Sequence, residues 1–215
     1  MCFLLVFSGE AKSALPNYFA RSWRTDNGLP DNAVAAVTQT RDGYLWLGTY
    51  GGLVRFDGSQ FTVFNSANEP GLQSDRITAV YEDAKNDLWI GHERGDLTRY
   101  HNNVFEPQNV HGIGARRKVS GISTDAAGDI WMLNEEGTLL RARDGATCSL
   151  PNNDGVVGMV RDREGTIWVA SGGKLAALKK GRLQLLAATN SISPIFGGYI
   201  QGICASQDGG VWIVT

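Results

Sequence analysis

The sequence is short of most features that mark catalytic and nucleic-acid-binding proteins. Its three cysteines, Cys2, Cys148 and Cys204, are too few and too odd in number for a disulfide framework. Cys148 and Cys204 can be read as a pair or as two small buried hydrophobes, and nothing in the sequence requires the pair. A basic excess is missing: 20 Lys and Arg stand against 22 Asp and Glu, a formal charge of -2, so no nucleic-acid partner is expected. No apolar stretch approaches the roughly 18 residues of a spanning helix. His92, His101 and His111 lack zinc-site spacing, and neither a phosphate loop nor a nucleophile elbow occurs. The expectation is therefore no catalytic residue, no metal and no cofactor. Disorder is also excluded, because 42% of residues are hydrophobic and only 20% charged.

Glycine and tryptophan are what the chain does have, 27 and 6 residues respectively. Glycine is far below the one third that collagen needs and follows no triplet period. Five tryptophans close one recurring phrase: Gly43-Tyr44-Leu45-Trp46, Asn86-Asp87-Leu88-Trp89, Gly128-Asp129-Ile130-Trp131, Gly165-Thr166-Ile167-Trp168 and Gly209-Gly210-Val211-Trp212. The intervals between Trp46, Trp89, Trp131, Trp168 and Trp212 are 43, 42, 37 and 44 residues. A period near 40 marks a solenoid, a propeller or an array. Apolar residues here alternate or run in fours between Gly, Asp and Asn, which is the pattern of strands.

The first unit shows the grammar. A strand near 33–38 is followed by the turn Thr40-Arg41-Asp42-Gly43, and Leu45–Thr49 follows as a second strand. Gly51-Gly52 then turns the chain into Leu53–Phe56, and Asp57-Gly58 turns it again into Phe61–Phe64. Four short antiparallel strands per 40-odd residues make one β-propeller blade. The fold class is all-β: four complete four-stranded blades near residues 33–64, 76–107, 119–150 and 155–187, and half of a fifth at 200–215. Each Trp supplies buried area between blades, and Gly43, Gly128, Gly165 and Gly209 allow positive φ in the turn before it. Asp83, Asp125 and Asp162 stand six residues before a Trp, where a carboxylate can accept backbone N–H groups and fix the turn. Residues that recur in every unit read as structural, since an active site is normally made once.

Asp42-Gly43-Tyr44-Leu45-Trp46-Leu47-Gly48-Thr49, continued by Gly51-Gly52-Leu53-Val54-Arg55-Phe56-Asp57-Gly58, closely resembles the two-component regulator propeller repeat. The lead-in Trp23–Asn32 resembles that family's opening blade, and Leu88-Trp89-Ile90-Gly91 repeats the phrase. Units three and four depart from it; Trp131 is followed by Met132-Leu133-Asn134. The resemblance spans residues 18 to 215. It implies the periplasmic sensor part of a bacterial receptor, followed by a membrane helix and a histidine kinase or diguanylate cyclase module. It also implies a homodimeric receptor and a fragment of a longer chain, without catalysis of its own. Residues 1–17, an apolar run followed by small residues, fit the remnant of an export signal or an ordinary strand. A closed five-bladed ring would need the Tyr18–Trp23 segment as a strand, and is disfavoured.

Loops vary while the sheet repeats, so single-occurrence polar residues on one loop face are the ligand candidates. They are Tyr50, His92, Glu93, Arg94, Asn134, Glu135, Arg116 and Arg117. Aromatic and charged neighbours of this kind suit an oligosaccharide or another small molecule. Glu135 and Glu136, read as a strand end, would point to opposite faces, which is poor geometry for an acid–base pair. Two alternatives stay open. One is a lyase of the streptogramin type, using His92 with Glu93; the other is a protein-binding scaffold.

Overall fold

A computed structural model describes residues 20–110, 116–150, 155–171, 173–186 and 200–215. Blade 1 comprises β1 (Val34–Gln39), β2 (Leu45–Thr49), β3 (Gly52–Phe56) and β4 (Phe61–Phe64). Blade 2 holds β5 (Ile77–Glu82), β6 (Leu88–His92), β7 (Leu97–His101) and β8 (Val104–Gln108). Blade 3 holds β9 (Val119–Thr124), β10 (Ile130–Asn134), β11 (Thr138–Arg141) and β12 (Thr147–Ser149). In blade 4 the strands are β13 (Val156–Arg161), β14 (Ile167–Ser171), β15 (Lys174–Lys179) and β16 (Arg182–Leu185). β17 (Gly202–Ala205) and β18 (Val211–Val214) form the two described strands of blade 5. Within every blade, strands pair antiparallel in chain order. The first strands stack side by side across the blades, β1 on β5, β5 on β9, β9 on β13 and β13 on β17. This is a β-propeller of four complete blades and a partial fifth.

Residues 20–24 form no strand; a 3-10 turn at Thr25–Asn27 follows them. Trp23 packs edge-on against Phe56 at 5.3 Å, so the lead-in covers the outer part of blade 1. The leader region, Tyr18 and His111 lie outside the described residues. Cys148 and Cys204 are both free, the first half-buried and the second exposed, so neither the pair nor two buried hydrophobes is found.

The tryptophan of each complete unit after the first is held by a carboxylate. Asp83 Oδ1 accepts the main-chain N–H groups of Lys85 (2.8 Å) and Asp87 (3.0 Å), while Oδ2 accepts the Trp89 indole N–H at 3.0 Å. Asp125 does the same for Ala127, Asp129 and Trp131, and Asp162 for Glu164, Thr166 and Trp168. One side chain thus satisfies two turn donors and one aromatic donor, which would otherwise be desolvated at a cost. The turn needs a left-handed residue as well. Gly43, Gly128, Gly165 and Gly209 have φ of 92°, 83°, 86° and 95°, and Asn86 supplies 65° in blade 2.

So oriented, the rings enter the seams between blades. Trp46 lies with Leu53, Leu72, Ile77, Leu88, Ile90 and Phe105 between blades 1 and 2. Trp89 packs on the core between blades 2 and 3, Trp131 within the core between blades 3 and 4, and Trp168 against the core that joins blades 4 and 5. Full burial of one such ring contributes about 4 kcal/mol. Trp212, on the partial blade, is 63% exposed.

A second rule sets how closely blades approach. One cross-strand pair between first and second strands joins small residues: Ala36 with Gly48 and Ala79 with Gly91. A Cβ on Gly48 would lie 2.8 Å from Ile77, and one on Gly91 would lie 2.6 Å from Val119. In blades 3 and 4 the small partner changes strand, giving Gly121 with Leu133 and Gly158 with Ala170.

Two outcomes follow for urea denaturation. Asp125→Ala removes three accepted hydrogen bonds and lowers stability by about 2–4 kcal/mol, with Asp125→Asn losing less. Gly91→Ala costs about 1–3 kcal/mol through overpacking, and Val119→Ala in the same chain recovers part of that loss.

Candidate functional site

Antiparallel order places the blade linkers and the turns after each second strand at one end of the propeller. In the four complete blades the last residue of the second strand is polar and buried: Thr49, His92, Asn134 and Ser171. Each closes its own neighbourhood. The Thr49 hydroxyl donates to the Gly52 carbonyl at 2.7 Å. Asn134 Oδ1 accepts the N–H groups of Glu136 (3.0 Å) and Thr138 (2.9 Å). The Ser171 hydroxyl donates to the Gly155 carbonyl at 2.9 Å. His92 is fully enclosed, with Nε2 at 2.9 Å from the Thr98 hydroxyl. Burial pushes its pKa down to about 4, against a smaller opposing pull from Asp96, the Ser74 main chain and Asp75.

The structure brings Tyr50 and Glu93 together through a residue the sequence reading did not single out, Arg76. Its guanidinium lies 4.4 Å above the Tyr50 ring and donates to Glu93 Oε1 at 3.0 Å. The Glu93 N–H donates to the Arg76 carbonyl at 3.1 Å, and Glu135 N–H to the Lys118 carbonyl at 3.1 Å. Glu135 and Glu136 are exposed in the turn between β10 and β11, not at a strand end as expected, because Asn134 already ends β10. Arg117 pairs with Glu136 at 3.2 Å. Arg94 and Arg116 are exposed. Of the loop-face candidates, Tyr50 and Glu93 thus join one charged bridge at the seam of blades 1 and 2, and Arg117 joins another beside blade 3.

At the opposite end, a cleft of about 300 Å³ lies between the first turns of blades 1 and 2. Thr40, Asp42 and Trp46 of blade 1 face Glu82, Asn86 and Tyr100 of blade 2 across it. Arg41 spans the seam, its N–H on the Glu82 carboxylate at 3.2 Å and its guanidinium on Asn86 Oδ1 at 2.6 Å. Trp46 stacks on Phe64 and meets Tyr100 at 5.2 Å, and Arg55 lies over Tyr44, Trp46 and Phe64. Burial raises the pKa of the Tyr100 hydroxyl. Among the described residues no group of three or more His, Cys, Asp and Glu is placed to hold a metal ion, and no helix is long and apolar enough to cross a membrane.

The family profile for the two component regulator propeller matches residues 28–51, 71–94 and 149–173, about a third of the chain. Each match covers a linker and the first two strands of a blade, and in blades 1 and 2 it ends in the turn that holds Tyr50 or Glu93. The chain carries two-component regulator propeller repeats. Unit four, which departs from the repeat phrase, is among the three matched. Each match has a buried leucine as its second residue: Leu29, Leu72 and Leu150.

No curated protein matches the sequence. Solved structures share the fold. A streptogramin B lyase is 16% identical with a TM-score of 0.67, over 87% of this chain and 63% of that one. A virginiamycin B lyase from Staphylococcus aureus is 14% identical with a TM-score of 0.63, over 87% and 64%. An extracellular domain from B. thetaiotaomicron, assigned to a hybrid two-component system, is 23% identical with a TM-score of 0.62, over 84% and 26%. The chain therefore spans less than two thirds of either lyase and about a quarter of the receptor domain.

His92 generates a pH prediction. Its pKa falls from 6.5 in the unfolded chain to about 4 in the fold, so the unfolded state binds the extra proton between those values. Its contribution is intact above pH 6.5 and is lost as pH falls toward 4, by about 3 kcal/mol in all. His92→Asn, which installs the residue found at this position in blade 3, should flatten that part of the stability profile in urea titrations.

Proposed function

We propose that this chain is the ligand-sensing propeller portion of an extracytoplasmic receptor of the two-component class. The observation that carries the reading is the triple repeat match, in register with blades 1, 2 and 4. The likeness in fold to the extracellular domain of a hybrid two-component system adds support. In this reading the partners are a small molecule or oligosaccharide and the rest of the receptor chain. The protein stands on the periplasmic side, and the output module is a histidine kinase or a diguanylate cyclase. Ligand acts by preferring one of two arrangements of a receptor dimer, and its differential affinity sets the size of the response.

The lyase alternative has the fold likeness in its favour. Its chosen histidine, His92, is enclosed and bonded to Thr98, away from solvent.

The test is the coding sequence downstream of Thr215 in the source genome. The receptor reading expects further Gly-x-aliphatic-Trp units, an apolar stretch of about 20 residues and an output module. An open reading frame that continues into a different architecture overturns it. On the isolated chain, incubation with ATP or GTP should give neither autophosphorylation nor a cyclic dinucleotide, and incubation with streptogramin B should give no ring opening by mass spectrometry.

A further inference from the structure

Resting on the sensing reading, we propose that the cleft between blades 1 and 2 at the first-turn end binds one neutral sugar ring, with the Trp46 indole N–H as a donor on its floor. The ring is either a free monosaccharide or the end of an oligosaccharide.

The argument starts from a break in the repeat. In blades 2, 3 and 4 the indole N–H is taken by the carboxylate six residues earlier. In blade 1 that position is Thr40. The Thr40 hydroxyl turns to Asp42 Oδ1 (2.5 Å) and the Tyr44 carbonyl (3.2 Å), and no described residue accepts the Trp46 N–H. Trp46 and Thr40 both line the cleft, so the one indole donor released among the four complete blades is the one beside an open volume.

The surroundings select the ligand. A volume of about 300 Å³ suits a small molecule of one ring. Asp42 and Glu82 offer carboxylate oxygens to hydroxyl donors. The Trp46 N–H, the Arg41 guanidinium and the Asn86 amide offer donors to hydroxyl oxygens. Trp46 and Tyr100 give aromatic surface for ring C–H groups. A free anion would face Asp42 and Glu82, and a cation would face Arg41 and Arg55. A neutral polyhydroxylated ring meets both kinds of wall with hydroxyl groups that donate and accept. Arg41 holds the walls at a fixed spacing by bridging to Glu82 and Asn86.

Thr40→Asp tests this directly, because it restores the carboxylate of the other blades. Titration calorimetry would use glucose, galactose, mannose and xylose, their short oligosaccharides, and glucuronate as a charged control, against the wild-type chain, Thr40→Asp and Trp46→Phe. The expected result is millimolar or tighter binding of at least one neutral sugar, weakened tenfold or more in both variants. Thr40→Asp should keep or raise the thermal midpoint, so that lost binding is not lost folding. Binding of monosaccharides places a free sugar in the cleft; binding of oligosaccharides alone places a chain end there. Equal sugar binding by wild type and Thr40→Asp overturns the site and leaves the sensing reading intact. An absence of neutral-sugar binding, or a preference for glucuronate alone, overturns the ligand class. Failure of the receptor architecture downstream would overturn the sensing reading separately, whatever the calorimetry shows.

Discussion

One carboxylate, six residues before each tryptophan, organises the complete blades after the first. Its first oxygen closes a turn and its second holds an indole, so a contact local in sequence fixes how a large ring leaves the sheet. That direction determines what the neighbouring blade meets. Opposite the ring, on the third strand, Arg55, Arg99 and Arg141 face Trp46, Trp89 and Trp131 in blades 1 to 3. Arg99 and Arg141 return to carboxylates of the same blade, Asp87 and Asp129. Trp131 is therefore bracketed, by an acceptor on one side and the Arg141 guanidinium 5.4 Å from the ring on the other, before it touches the next blade.

Bracketing the ring is sufficient only if blades can approach, and the small cross-strand pair meets that demand in two ways. Blades 1 and 2 place glycine on the second strand, where Ile77 and Val119 of the next blade leave no room for a Cβ. Blade 3 puts the glycine at 121 on the first strand and sets Leu133 opposite it. A Cβ at 121 would meet Met159 at 3.5 Å, which is ordinary contact, so the approach there is looser than at Gly48 and Gly91. In blade 3, where Trp131 is followed by Met132-Leu133 and not by an aliphatic residue and glycine, Leu133 is itself buried in the core shared with blade 4.

The strands were legible because turn residues punctuate them, and the positive φ of Gly43, Gly128, Gly165 and Gly209 follows from the phrase alone. Asp83, Asp125 and Asp162 were also visible, but only as turn acceptors. The bond from the indole to the second oxygen depends on side-chain direction, which spacing does not encode. Reading variable loops as the site drew attention to His92 and Asn134, which have local partners: Asn134 closes the turn that follows β10, and His92 bonds Thr98 on the neighbouring strand. Arg76 escaped notice because its two partners, Tyr50 and Glu93, sit 43 residues apart on adjacent blades. The most telling deviation lay inside the repeat itself, where blade 1 has Thr40 in the place of an aspartate.

That deviation bears on how a receptor of this kind would respond. At the linker end, polar side chains are engaged in closing turns and in bridges such as Arg76 to Glu93. A ligand that used those groups would exchange one hydrogen bond for another, and the net gain from each exchange is small. The first-turn end of the same seam has an indole donor with no partner among the described residues, so a ligand acceptor adds a bond and removes none. On the proposed reading the ligand touches Thr40, Asp42 and Trp46 on one blade and Glu82 and Asn86 on the next. Its affinity then depends on the spacing between two blades, and by linkage occupancy favours the spacing that binds best. A seam packed by Trp46, Phe64, Tyr100 and Phe105, with centroids 4.6 to 6.3 Å apart, converts a small change in that spacing into a change of aromatic packing rather than a diffuse deformation.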